Sequence, residues 1–282
     1  MNEHTTADYL NQLEQDREDL VDNLETKGVT GLSGDETFTE LVPEVLNISG
    51  GADLDDYFSN IVKNGNPNEI THSYLLRMIK KVPDDIVIEG TDLSYAFNGA
   101  TALTEIPFID TTGVTNFASM FSGCKSLTTI PLLNASSVTN TRYMFYDCYA
   151  LTEVPLLDTS NVTNMQNMFS SCKSMISLPE LNTSNVTNMS SMCQGCTELA
   201  NIPLLNTSQV TNMSYMFSGC KKFTTESLNN LLGMCANVDA SYSNTKKLTN
   251  ILGGSYYYPA ATIQSLSNYQ AFIDAGWTIG WE

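Results

Sequence analysis

Basic residues are scarce in this chain. Thirteen Lys and Arg stand against 31 Asp and Glu, a net charge of −18 over 282 residues. Nucleic acids and anionic bilayers are both held by basic patches, so this balance argues against either as a partner. Histidine is scarcer still: only His4 and His72 occur, and neither stands in a metal or nucleophile motif. Glycine-rich phosphate loops are absent, and no spacing singles out a pair of carboxylates. No apolar run reaches the length of about 18 residues that reads as a membrane-spanning helix. The opening Met1-Asn2-Glu3-His4 leads into polar and acidic residues, so no secretory signal is expected. These absences remove the usual marks of catalysis, and the chain is expected to be no enzyme and to need no cofactor or metal.

What is present is repetition. Val-Thr-Asn recurs at Val114, Val138, Val162, Val186 and Val210, every 24 residues without a gap. Cys124, Cys148, Cys172, Cys196 and Cys220 keep the same step. A fixed period in this range marks a solenoid, each unit one coil stacked on the next. Cysteines one coil apart stack at roughly 4.8 Å, the strand spacing. A disulfide prefers Cβ atoms about 3.8 Å apart, so the row reads as small buried side chains. Cys193-x-x-Cys196 looks like half a zinc site, but Cys193 stands in the column of Phe97, Phe121, Phe145, Phe169 and Phe217, and packing is the simpler account.

One coil places Val162, Met165, Met168, Phe169, Cys172, Met175, Leu178 and Leu181 in apolar columns. Leu127 to Leu133, repeated at Leu151–Leu157 and Leu199–Leu205, predicts a short strand ending near Pro131, Pro155 and Pro203, since proline lacks a ladder donor. The Met-x-x-Met-Phe-x-x-Cys stretch has 3–4 spacing and predicts a turn of helix on the opposite wall. The column Asn116, Asn140, Asn164, Asn188 and Asn212 has no exception, which predicts a hydrogen-bonded ladder at a corner. A lone coil cannot offset the entropy of ordering its backbone, so neighbours must supply hydrogen bonds and burial on both faces.

The unit Leu199-x-x-Ile202-Pro-Leu-Leu-Asn-Thr-Ser-x-Val210-Thr-Asn-Met-x-x-Met216-Phe-x-x-Cys220 resembles the BspA-like leucine-rich-repeat surface proteins, over residues 84–226. The resemblance implies an α/β repeat fold, a parallel β-solenoid with short helical turns. It also implies adhesion, because members of that family are bacterial, protozoan or phage surface proteins without a catalytic motif.

Most of the negative charge lies in front: residues 1–60 hold fifteen acids against Arg17 and Lys27. Residues 5–27 predict a helix closed by Gly28, on which Leu10, Leu13, Arg17, Leu20 and Leu24 form a 3–4 stripe. That stripe is either a short coiled-coil seam or a face packed on its own domain. The pattern Tyr9-Leu10-x-x-Leu13, Asp19-Leu-Val-Asp-Asn-Leu24, Lys27-Gly-Val29 and Thr37-Phe-x-x-Leu-Val-Pro-x-Val-Leu46 resembles the N-terminal module of phage structural proteins from Gram-positive hosts. It implies attachment to other virion proteins as a homo-oligomer, a trimer by the same analogy.

The expected organisation is a helical attachment module (1–50), a helical N-cap (51–83), the solenoid (84–228) and a C-terminal cap (229–282), with helices at 226–234, 259–266 and 269–275. The expected function is a phage virion structural protein, a tail or head fibre component that presents the solenoid for host attachment; the alternative is a bacterial cell-surface adhesin. Columns that vary carry the candidate receptor contacts. One holds Tyr95, Ser119, Tyr143, Asn167, Ser191 and Tyr215, and the third coil adds Arg142, Tyr146 and Tyr149. Tyrosines beside polar groups suit a host surface protein or glycan, or else they simply cover the wall. Tyr256, Tyr257 and Tyr258 form a second aromatic group, for a ligand or for packing of the cap.

Overall fold

The structure, a computed structural model, describes residues 90–242, 244–253 and 258–280. The expected module 1–50, the cap 51–83, the stripe Leu10, Leu13, Arg17, Leu20 and Leu24, and also Tyr256, Tyr257 and Trp281 lie outside these residues.

From residue 90 to Phe223 the chain winds as a solenoid. Its coils are held in register by single parallel bridges, Asp92 to Asn116, Asn116 to Asn140, Asn140 to Asn164, Asn164 to Asn188 and Asn188 to Asn212. The interior consists of straight rows of like side chains. Phe97, Phe121, Phe145 and Phe169 stack nearly parallel with ring centroids 5.4–5.7 Å apart. All seven cysteines are free and buried. In the regular row each thiol donates to a carbonyl of the preceding coil, as Cys148 Sγ does to Phe121 O at 3.1 Å and Cys172 Sγ to Phe145 O at 3.2 Å. The expected row of dry, unpaired cysteines is therefore what the fold builds.

Two local expectations need correction. The Met-Phe-Cys wall contains no helix. Alternate N–H groups there donate to the next coil, Tyr95 N to Ala118 O at 2.9 Å and Phe97 N to Met120 O at 2.8 Å. The N–H groups between them close turns within the coil, as Ala96 N does to Leu93 O at 3.2 Å. A helix would spend every donor inside its own segment. Here half are turned outward, because two columns of residues adopt a left-handed backbone. One is Tyr95, Ser119, Tyr143, Asn167, Ser191 and Tyr215, with φ between 54° and 64°. The other holds Gly99, Gly123, Asp147, Ser171, Gly195 and Gly219.

The proline wall, likewise, is not a strand. Its bridges are isolated: Ser177 pairs with Asn201, and Glu105 in an earlier coil also stands in a bridge. A proline in every coil removes a donor, so only scattered backbone bonds such as Thr152 N to Thr128 O at 3.1 Å and Leu178 N to Asn201 O at 2.9 Å cross between coils, and buried side chains such as Leu127, Ile130 and Leu133 pack the wall from within. The solenoid is thus built from turns and isolated bridges rather than continuous parallel strands. The asparagine column also acts locally. Each Oδ1 accepts from the N–H two residues on, as Asn140 Oδ1 does from Arg142 N at 3.1 Å and Asn188 Oδ1 from Ser190 N at 3.0 Å. That is Asx-turn chemistry, which fixes the corner ahead of the turn wall.

Four helices follow: α1 (Thr225–Ala236), α2 (Leu248–Leu252), α3 (Ala260–Gln264) and α4 (Tyr269–Asp274). Three lie close to the expected spans, and α2 was not foreseen. Thr224 caps α1 by accepting from Ser227 N. The open end of the turn wall is closed by α2: Tyr215 N donates to Asn250 O at 2.7 Å and Phe217 N to Ile251 O at 3.0 Å, where a further coil would otherwise stand. Tyr258 is packing rather than a ligand contact. It is buried, its hydroxyl accepts from Phe223 N at 2.9 Å and donates to Cys220 O at 3.1 Å, and burial pushes its pKa up to about 12.

Candidate functional site

The third and neighbouring coils gather the largest set of candidate residues. Asn140 sets the corner, and Arg142 and Tyr143 follow it directly. The Arg142 guanidinium lies 5.7 Å from the centre of the Tyr143 ring, and Tyr143 meets Tyr146 edge to face at 5.7 Å. Tyr149 belongs to a different contact. It shares a column with Lys125 and Lys173, and both ammonium groups lie over its ring, at 5.5 Å and 3.9 Å. The three tyrosines therefore do not form the single helical strip that their 3-residue spacing suggested. The turn wall divides them into Arg142–Tyr143–Tyr146 and Lys125–Tyr149–Lys173, side by side.

Arg142, Tyr143, Tyr146 and Tyr149 are each half-buried, so their rings are braced by the wall and still open to a partner. Between residues 90 and 214 the only basic residues are Lys125, Arg142 and Lys173, and all three belong to this patch. None of them is in an ion pair among the described residues. Asp147 is the patch's negative group; with burial it pushes the Tyr146 phenol above its ordinary pKa. Tyr95 and Tyr215 are exposed, at 42% and 54%, in the same left-handed column as Tyr143. They lie two and three coils away from it, about 10 Å and 14 Å at strand spacing, and share no ring contact with it among the described residues.

Sequence reasoning missed Lys125 and Lys173, whose signal was their 24-residue register with Tyr149. It also missed an exposed apolar row. Phe108, Leu132, Leu156 and Leu204 occupy one column with exposures of 56–72%. Its signal was Glu180, which stands in the same column and could not be accommodated unpaired in a core. The row ends at α1, where Glu180, Ile202, Leu204, Glu226 and Asn230 line an open groove of about 540 Å³. No cluster of three metal-ligating side chains and no helix long and apolar enough to cross a membrane occurs among the described residues.

Comparison with known proteins follows the repeat. The family described as "Mycoplasma protein of unknown function, DUF285" matches residues 91–201 and 153–254, which together span more than half of the chain. The chain belongs to the DUF285 family. DUF285 is a BspA-like family, which agrees with the kinship read from the repeat unit and points to a surface or adhesion type of protein. Its two overlapping matches cover the turn walls and the first helices of the cap, so the patch lies wholly inside DUF285 sequence. No curated protein matches. Among solved structures, a leucine-rich repeat protein of T. pallidum (TpLRR) is similar at 18% identity and a TM-score of 0.38, over 55% of this chain and 81% of that one. A leucine-rich repeat protein from Bacteroides ovatus is similar at 24% identity and a TM-score of 0.35, over 53% of this chain and 39% of that one. This chain thus spans well under half the length of the Bacteroides protein. Both likenesses are remote.

Proposed function

We propose that this protein is an attachment protein. The solenoid is a stiff support, and the patch of Arg142, Tyr143, Tyr146 and Tyr149 with Lys125 and Lys173 is the surface it presents to a host protein or glycan. The observation that carries this reading is the register. Residues up to 48 positions apart in sequence come together as braced aromatic rings and unpaired cations, in a chain otherwise rich in acid. Half-buried tyrosines and arginine are the residue types that dominate recognition surfaces, since their area is large and little freedom remains to be lost. The work is binding, not catalysis, and needs no cofactor. Whole-cell binding by the full chain and by Tyr143→Ala and Tyr146→Ala tests the patch. Loss of binding with an unchanged thermal midpoint is expected; unchanged binding would remove the patch from the account.

The narrower reading is that the carrier is a virion, with residues 1–50 joining other virion proteins as a homo-oligomer. Its support is the N-terminal pattern from Tyr9 to Leu46 alone. A bacterial cell surface is the alternative, and the family match supports that one. Electron microscopy of purified particles with labelled antibody separates them, and absence from every particle rejects the virion.

A further inference from the structure

We infer that the patch takes an anionic saccharide, a sugar ring bearing a carboxylate or sulfate, with the charge held by Lys125, Lys173 and Arg142 and the ring laid on tyrosine. This rests on the attachment reading and narrows its partner. Three observations lead there.

The first is the charge pattern. The chain carries a net −18, yet the 125 residues from 90 to 214 place every cation they have around these tyrosines. The second is the absence of neutralisation. Lys125 and Lys173 stand on opposite faces of one ring, two coils apart, about 10 Å at strand spacing. An ordinary solvated surface would place a carboxylate between them or let them swing apart. Here Asp147, the nearest acid in the patch, forms no ion pair with either among the described residues. The Arg142 guanidinium also lacks an acceptor: its Nε is shut away from solvent without a hydrogen bond. Nε alone among the arginine's nitrogens is so enclosed, which leaves the outer two for an incoming oxygen. The third is the backbone. Tyr143 and Asp147 both hold left-handed conformations, with φ of 57° and 59°. In the Asp147 column four other coils use glycine, and in the Tyr143 column serine or asparagine serves three others. The left-handed backbone costs a residue with a Cβ on the order of 1–2 kcal/mol, and Tyr143, like Tyr95 and Tyr215, bears it with a ring that still reaches solvent.

Chemistry then chooses the ligand. Lysines occupy both faces of Tyr149, so the apolar face of a pyranose is left the rings of Tyr143 and Tyr146, and the fixed cations beside them reward a negative substituent. A neutral glycan would leave the three cations uncompensated. A nucleic acid would meet the strongly negative remainder of the molecule.

The test uses the full-length protein and three soluble probes of equal length: a uronate oligosaccharide, a sulfated oligosaccharide and a neutral gluco-oligosaccharide. Affinity is measured by calorimetry at low and high salt. Binding of one or both anionic probes above the neutral one, weakened by salt, is expected; which anionic probe binds identifies the source of the charge. The double variant Lys125→Gln/Lys173→Gln should lower that affinity about tenfold, as expected for loss of charge-assisted contacts. Both lysines are exposed, so the variant should keep the wild-type thermal midpoint. Equal binding of all three probes, or of none, overturns the inference. If no probe binds while Tyr143→Ala still abolishes cell attachment, the anionic ligand is wrong and the attachment reading stands. If Tyr143→Ala leaves cell attachment intact, both fall.

Discussion

At the scale of single residues the solenoid depends on two requirements that recur every 24 positions: a dry side chain inside and a left-handed residue on the turn wall. Asp147 and Tyr143 meet the second at a cost that glycine or asparagine would avoid. Asp147→Gly should therefore raise stability by about 1 kcal/mol, seen as a midpoint about 2–4 °C higher on thermal unfolding. Tyr143→Asn should hold or raise the midpoint and lose binding, separating stability from function; a lowered midpoint in both variants would show that the strain argument is wrong. The dry interior has its own signature. Burial pushes the thiols of Cys124, Cys148, Cys172, Cys193, Cys220 and Cys235 above the ordinary thiol range, and it pushes Tyr242 and Tyr258 up to about 12. A raised pKa means that the folded protein keeps protons the unfolded chain releases. That stabilisation is complete below the unfolded thiol value of about 8.5 and is lost as pH rises toward the folded values. The thermal midpoint should be flat from about pH 7 to 8 and fall steadily above about pH 9, and a thiol reagent at pH 8 should find no reactive cysteine until the protein is unfolded.

At the scale of the element, neighbouring residues in the proline wall have opposite fates. Leu157 is 2% exposed and points into the row of Ile109, Leu133, Leu181 and Leu205, whereas Leu156 belongs to the exposed apolar row. Leu157→Ala should cost roughly 2–5 kcal/mol through lost transfer energy and a cavity, and Leu156→Ala under about 0.5 kcal/mol. Chemical denaturation of the two variants checks this, and equal losses would place Leu156 against a partner in the protein itself. The sequence pattern could not make this distinction. Leu132-Leu133 and Leu156-Leu157 look alike as pairs, and only Glu180 betrays which partner faces water. The helix and strand expectations failed for a related reason. Apolar spacing of three and four is produced equally by a helix and by overlapping turns, because both return a side chain to the same face after about one turn of chain. What separates them is the sign of φ at Tyr143 and Asp147, which no side-chain periodicity encodes.

At the scale of the whole molecule, the coils contact chiefly their neighbours, and the register is carried by the period. Removal of one complete unit, Met189 to Asn212, joins Asn188 to Met213 and leaves every column intact. That variant should fold with a modestly lower midpoint and keep the patch, because Lys125 to Lys173 lie in earlier coils. Removal of Met189 to Ala200 alone should abolish cooperative unfolding, since it sets phenylalanine and proline columns against one another. Thermal denaturation followed by circular dichroism distinguishes these outcomes, and equal tolerance of both deletions would contradict the picture of rows in fixed register.

The period, the buried rows of phenylalanine and cysteine, and the three later helices were all determined by the sequence alone. Repetition states directly which side chains must lie over one another. Tertiary structure decided the rest: a wall of turns in place of helix, a proline wall with isolated bridges in place of a strand, α2 in the place of a further coil, and two lysines on either face of Tyr149. The reason is that a column is legible in one dimension, while the direction of a peptide N–H and the meeting of side chains around a corner depend on how each coil closes on its neighbour.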